Sequence, residues 1–181
     1  MLCGIDEAGR GPLAGSLVMA GVILHEHIEG LNDSKKLSAA QREMLFERII
    51  TSSTYHLVTF RAQEIDTHGI SHCLREGLLE IMATLSSEHY LFDGNSNFGV
   101  ANLPTKIKAD ASVAEVSAAS ILAKVTRDRE MIALAQHYPH YEFERHKGYG
   151  TARHIQKIQE HGYCDIHRRT FRIKALEATL F

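Results

Sequence analysis

Two adjacent carboxylates, Asp6 and Glu7, close a short apolar run, and the turn Gly9-Arg10-Gly11-Pro12 follows within two residues. Carboxylates at a strand end are hard oxygen ligands suited to Mg²⁺ or Mn²⁺. Glycines flanking an arginine let backbone N–H groups and a guanidinium approach a phosphate or a sugar closely. Metal ligands beside a phosphate-sized cradle point to phosphoryl chemistry. Two further aspartates stand at element ends: Asp93 closes His89-Tyr-Leu-Phe-Asp93, and Asp110 lies between an extended stretch and a helix. If the strands are neighbours, three acidic residues converge at one sheet edge. Such a cluster repels itself and burial raises its pKa values, a cost that a divalent cation removes. The competing account makes each Asp a turn or cap residue. Glu7 is a separate case, because neighbours on a regular strand face opposite sides. It joins the site only if the strand ends or bulges at Ala8-Gly9.

Other stretches carry weaker signals. Lys147-Gly-Tyr-Gly150 places an aromatic ring between two glycines, suited either to stacking on a sugar or base or to packing across a tight loop. The loop Asn32-Asp-Ser-Lys-Lys36 is either a phosphate contact or a solvated turn. Gly9-x-Gly11-x-x-Ala14 has the dinucleotide-binding spacing, but that motif requires a helix after the turn, and here a strand follows. His68 and His72 are spaced i, i+4 without the glutamate of a zinc-protease helix, and among 12 histidines some close spacing arises by chance.

The elements that must position these residues follow from periodicity. Leu2–Asp6 reads as a buried strand and 16–24 as a second, β-branched and apolar, pairing antiparallel with the first across the glycine turn. Ser38 and Gln41 have the spacing of a capping box at the start of a helix, and 55–61 reads as a third strand. Ile70, Leu74, Leu78, Met82 and Leu85 recur at helical spacing. Strands are expected at 89–93 and 105–108. Ser112 and Glu115 suggest a second capping box, opening a helix to about Ala135 whose small residues suit close packing on a sheet. A short helix ends near Gly162. The expectation is one α/β domain over 1–181 with a mixed central sheet flanked by helices, about 145–181 forming a basic C-terminal segment that is partly helical.

With 44% hydrophobic and 23% charged residues the chain has the composition of a soluble globular protein. No apolar run reaches the roughly 18 residues of a membrane span, and the N-terminus lacks the pattern of a signal peptide. Cys3, Cys73 and Cys164 are odd in number, far apart and never paired as Cys-x-x-Cys, which points to a reduced, cytoplasmic setting and no zinc ribbon. The net charge of −2 hides an asymmetry: residues 1–123 hold 9 Lys/Arg against 15 Asp/Glu, residues 124–181 hold 11 against 7. Local charge sets phosphate affinity, and the basic excess lies beyond Arg145.

Taken in order, these motifs resemble ribonuclease HII of the bacterial type. The resemblance rests on Gly4-Ile5-Asp6-Glu7-Ala8-Gly9-Arg10-Gly11-Pro12, Asp33-Ser34-Lys35-Lys36-Leu37, Phe92-Asp93-Gly94, Lys108-Ala109-Asp110, the run Ser117–Asp128, Lys147-Gly-Tyr-Gly-Thr151 and His167-Arg-Arg-Thr-Phe171. It spans roughly residues 4–171. Many members have Lys-Gly-Asp in place of Lys-Ala-Asp, and Ser in place of Thr170. The resemblance implies an RNase H-like fold and a four-carboxylate catalytic and metal site: Asp6, Glu7, Asp93 and Asp110. It further implies cleavage of the RNA strand of RNA–DNA hybrids, and cutting 5′ of single ribonucleotides in duplex DNA. Two Mg²⁺ or Mn²⁺ ions are expected to act together on the scissile phosphate, with Asp6 as the bridging ligand. By the same likeness Gly9, Arg10 and Gly11 grip the 2′-hydroxyl and Tyr149 packs on a neighbouring sugar. Ser34, Lys35, Lys36, Lys147 and Arg168 complete the expected substrate-binding set. A monomer is expected, with a sliding clamp a conceivable partner that no motif supports. Two rival classes are a hybrid-binding module without catalysis, and a paired-carboxylate glycosidase, which the absence of tryptophan weakens.

Overall fold

A computed structural model describes residues 1–31 and 36–173. Its centre is a five-stranded mixed sheet in the order β3-β2-β1-β4-β5. The strands are β1 (Leu2–Ala8), β2 (Leu17–Leu24), β3 (Ser53–Phe60), β4 (His89–Asp93) and β5 (Thr105–Lys106). β1 pairs antiparallel with β2, and β2 with β3. β4 joins β1 in parallel and β5 joins β4 in parallel.

The central strands are buried on both faces, which explains why β2 reads as a continuous apolar run and not as an alternating one. On one face Cys3, Ile5, Leu17, Met19 and Val58 pack against Leu74, Leu78 and Ile81 of α3 (Ile70–Thr84). On the other, Val18, Ala20 and Val22 meet Leu45 and Ile49 of α1 (Ala39–Ser52) and Ala118, Ile121 and Leu122 of α4 (Ala114–His137). α4 lies very close to β1. A Cβ on Gly4 would stand 2.3 Å from the backbone of Glu115 and Val116. The small residues of α4 therefore serve the close packing anticipated for them.

The Ser38–Gln41 capping box forms at the start of α1, with Gln41 N donating to Ser38 Oγ at 3.2 Å and Ser38 N donating to Gln41 Oε1 at 2.8 Å. The second expected box does not. α4 begins after Val113, and Ser112 Oγ instead accepts from Lys106 Nζ at 2.9 Å. The strand expected over 105–108 stops at Lys106. Lys108 takes a left-handed φ of 59°, which turns the chain into a 3₁₀ turn over Ala109–Ala111. The helical stretch carrying His68 and His72 is likewise interrupted: α2 (Ala62–His68) ends at Gly69, whose φ of 84° suits glycine, and α3 starts afresh. α5 (Phe143–His146) and α6 (Ala152–His161) follow α4. No described helix is long and apolar enough to cross a membrane.

Candidate active site

β1 and β4 end side by side. Their last paired residues are Ile5 and Phe92, so the next residues, Asp6 and Asp93, occupy equivalent positions on neighbouring parallel strands. In-register neighbours point to the same face. That face is the one α4 covers, and Asp110 reaches it from the 3₁₀ turn leading into α4. Carboxylate oxygens of Asp6, Asp93 and Asp110 all lie within 4.8 Å of one another. The expected convergence of three acidic residues at one sheet edge is therefore present.

The Asp93 and Asp6 carboxylates are held by nearby donors. Asp93 Oδ1 accepts from Lys108 N at 2.9 Å and Oδ2 from Asp110 N at 3.2 Å, so the shortened β5 and the turn after it fix both aspartates relative to each other. Asp6 Oδ1 accepts from Glu7 N at 2.7 Å, and the Ser120 hydroxyl of α4 donates to the same carboxylate. Burial pushes the Asp6 carboxyl well above the usual range, and the charges of Glu7 and Asp93 push it further; the hydrogen bonds from Ser120 and Glu7 N act in the opposite sense. An all-oxygen donor set with two of its three carboxylates buried and repelling one another fits a hard divalent cation.

Glu7 points to the opposite face of β1, as strand geometry requires, and does not belong to the three-acid group. β1 ends one residue later at Ala8, and Gly9 turns away with φ 92°. With β4 already finished at Asp93, a cleft of about 590 Å³ wraps round the strand end, and both Asp6 and Glu7 line it. No bulge is needed: the β1–β2 register runs unbroken through Glu7–Met19 and Ala8–Val18. Glu7 Oε1 lies 3.9 Å from Arg10 Nη1, and the Arg10 guanidinium covers the Phe98 ring at 5.3 Å.

Gly9, Arg10, Gly11 and Tyr149 form the rim of the same cleft. Arg168, expected to touch substrate, is 1% exposed, and its guanidinium is spent on backbone. It donates to the carbonyls of Gly9 (2.6 Å), Arg10 (3.2 Å), Gly15 (3.0 Å) and Ser16 (2.9 Å). That expectation is corrected: Arg168 shapes the turn from behind. In a trans peptide the N–H points opposite to the carbonyl. Since the Gly9 and Arg10 carbonyls face Arg168, the N–H groups of Arg10 and Gly11 face the other way. Arg127 of α4, also buried, completes the clamp by donating to Ser16 O (2.9 Å) and Ala14 O (3.0 Å). Its guanidinium lies 5.6 Å from the centre of the Tyr149 ring.

Lys36 is exposed on the turn before α1, and Lys147 donates from Nζ to the Glu144 carbonyl; neither is among the described residues lining the cleft. Ser34 and Lys35 lie outside the described residues. Arg42, Lys108, Ser120 and Lys124, to which the sequence assigned no role at the site, do line it. Lys124 follows Ser120 by one helical turn on α4, an i, i+4 polar pair on an otherwise small and apolar face that carried the signal.

The family model for ribonuclease HII matches residues 3–174. The chain belongs to the ribonuclease HII family. Ribonuclease HII of Sulfurovum sp. (strain NBC37-1) is 60% identical over 181 residues, covering 99% of this chain and 96% of the relative. That of Campylobacter jejuni (strain 81116 / NCTC 11828) is 50% identical over 173 residues, covering 95% and 91%. Among solved structures, the ribonuclease HII of Archaeoglobus fulgidus, seen in a complex with PCNA, superposes with a TM-score of 0.84 at 28% identity, covering 96% of each chain. Bst-RNase HIII in complex with Mn²⁺ shares the fold at a TM-score of 0.66 and 17% identity, covering 89% of this chain and 62% of that one. The ribonuclease HII family accounts for the α/β architecture and makes the chain a metal-dependent endoribonuclease with ribonuclease H activity. Among the described residues, Asp6, Asp93 and Asp110 stand close enough together that they could hold a metal ion.

Proposed function

We propose that the protein hydrolyses the RNA strand of RNA–DNA hybrids and cuts 5′ of single ribonucleotides embedded in duplex DNA, serving ribonucleotide removal in DNA replication and repair. The observation that carries this is the shared cleft, where three clustered carboxylates stand beside the Gly9-Arg10-Gly11 turn. Asp6, Asp93 and Asp110, with Glu7 from the opposite face of β1, would hold two Mg²⁺ or Mn²⁺ ions. When bound, such ions supply an activated water and neutralise charge on the leaving 3′-oxygen.

The chain's own residues do the rest. Lys108 N and Asp110 N hold the Asp93 carboxylate in place, and Ser120 holds that of Asp6. Lys108, Lys124 and Arg42 place positive charge on the cleft wall, where a phosphodiester backbone would lie. The outward N–H groups of Arg10 and Gly11 suit a 2′-oxygen. Without that hydroxyl these donors would be buried unpaired beneath the substrate, which rejects all-DNA strands. Tyr149, 43% exposed, offers a ring face for the sugar of the next nucleotide. Ser34, Lys35, Lys36 and Lys147 would contact phosphates further along. The protein acts as a monomer in the cytoplasm.

The test is a labelled duplex carrying one ribonucleotide, a long hybrid and an all-DNA control, each with Mg²⁺, Mn²⁺ or chelator. Metal-dependent nicks on the first two alone support the reading. Binding without nicking, or cleavage of the all-DNA duplex, contradicts it.

A further inference from the structure

Behind the Tyr149 loop lies a group of buried imidazoles that the chemistry above does not use. His154 is 0% exposed, His167 2% and His146 8%. The hydrogen bonds through two of them form one directed chain. Cys164 N lies 2.9 Å from His167 Nδ1, and a backbone N–H can only donate, so that nitrogen accepts. The proton of a neutral His167 then sits on Nε2, which faces His154 Nε2 at 3.0 Å. His154 Nε2 accepts it, and its own proton sits on Nδ1, 2.9 Å from the Tyr149 carbonyl, which can only accept. A fixed donor at one end and a fixed acceptor at the other leave a single consistent set of tautomers. Adding a proton to either ring sets two N–H groups face to face.

His146 fixes the same loop from its other side. Gly148 N donates to its Nδ1 at 3.2 Å, its Nε2 donates to the Tyr141 carbonyl at 2.8 Å, and its ring stacks on His154 with centroids 4.3 Å apart. Burial holds all three imidazoles below their usual pKa, to about 4 for His154 and His167, in keeping with neutral rings. The Tyr149 peptide is held at both ends: its N–H donates to the His146 carbonyl at 2.9 Å, and its carbonyl accepts from Thr151 N at 2.8 Å as well as from His154 Nδ1, while its ring lies on the cleft rim and over Arg127.

We propose that His154, oriented by His167, is a positioning residue for Tyr149, presenting the ring to the nucleic-acid sugar through the bond to the Tyr149 carbonyl. This rests on Tyr149 being the substrate contact proposed above. The alternative is a purely structural histidine pair, and two near-isosteres separate the cases. The amide nitrogen of an asparagine stands where Nδ1 does, so His154→Asn keeps the donor to Tyr149. The amide of a glutamine reaches the Nε2 position, so His154→Gln keeps the contact with His167 and loses that donor.

The experiment measures kcat and KM on an RNA–DNA hybrid with Mg²⁺ for wild type, His154→Asn, His154→Gln, Tyr149→Ala and the His154→Gln/Tyr149→Ala double variant. His154→Gln is expected to raise KM about tenfold with kcat within about twofold, the loss of one buried hydrogen bond. His154→Asn is expected to stay near wild type, and the double variant to match Tyr149→Ala alone. Equal damage from Asn and Gln, or additive effects in the double variant, overturns the proposal. Nitrogen-15 NMR of the wild-type protein gives a second readout independent of any variant's folding. It is expected to show His154 protonated on Nδ1 and His167 on Nε2, and the reverse tautomers overturn the proposal. An unchanged KM in Tyr149→Ala would remove the substrate role of Tyr149, and the positioning role with it, while cleavage by the wild type would still stand.

Discussion

Arg168 Nη2 donates to the Gly9 carbonyl across 2.6 Å, joining residues 159 positions apart in the chain. A residue from the basic C-terminal segment therefore shapes the Gly9-Arg10-Gly11 turn without facing the cleft. Its fork reaches four carbonyls, which a single ammonium cannot do. Arg168→Lys is expected to destabilise the fold by about 3 kcal/mol, from carbonyls left without donors. Urea denaturation measures this; a loss within about 0.5 kcal/mol, the range of an ordinary surface change, would contradict it.

Gly4 sets the distance between α4 and the strand that carries Asp6. A Cβ there would meet Glu115 C and Val116 N at 2.3 Å, backbone atoms that cannot swing aside. Gly4→Ala should cost at least 2 kcal/mol, roughly the overpacking range. It should also lower the affinity for Mn²⁺, because Asp6 and Ser120 are forced apart. Calorimetric titration with Mn²⁺ on the folded variant checks the second effect, and unchanged affinity would disprove it.

Acid should weaken the C-terminal part of the fold through its histidines. His154 and His167 are held to about 4, against 6.5 when unfolded, chiefly by burial. The unfolded chain therefore binds more protons between these values, so stability is full above about pH 6.5 and is lost as pH falls toward 4. Asp6 has the opposite sign, since its raised pKa makes protonation favourable in the fold. The melting temperature, measured from pH 7 to pH 4.5 in an Asp6→Asn background, should fall by several degrees. Replacing His154 with Asn should shrink the fall; an identical fall would contradict the assignment.

The mixed sheet was legible because β2 is apolar throughout and the glycine turn is too short for a crossover helix. The three aspartates stood out because each was read at an element end or between elements, while their meeting depended on the strands being neighbours and was otherwise what the resemblance to ribonuclease HII implied. What remained hidden depends on contacts distant in sequence. Nothing around Arg168 shows that its charge would be buried against Gly9 and Ser16, so a basic residue beside a basic segment reads as a surface contact. Glu7 posed a question that the strand alone could not answer, because its answer lies in β4 stopping at Asp93. Ser112 and Glu115 have ideal capping spacing, yet Lys106 occupies the Ser112 hydroxyl and the 3₁₀ turn carries Asp110 to its place.

Metal and mutation should act on stability in related ways. Asp6 is buried among like charges, so Asp6→Asn should stabilise the metal-free protein. Mg²⁺ or Mn²⁺ should raise the melting temperature of the wild type, because a ligand bound only by the folded state stabilises it. The rise should vanish in Asp6→Asn. Thermal melts with and without metal measure both effects. An equal metal-induced rise in the variant would mean the ion binds elsewhere.

The most direct measurement is cleavage of a labelled RNA–DNA hybrid by wild type and Asp6→Asn, each with Mg²⁺ and with chelator, alongside circular dichroism of both. The carboxylate site predicts RNA-strand cuts by the wild type with metal only, and no detectable cutting by an Asp6→Asn protein with an unchanged spectrum. Full activity in a folded Asp6→Asn protein would contradict it.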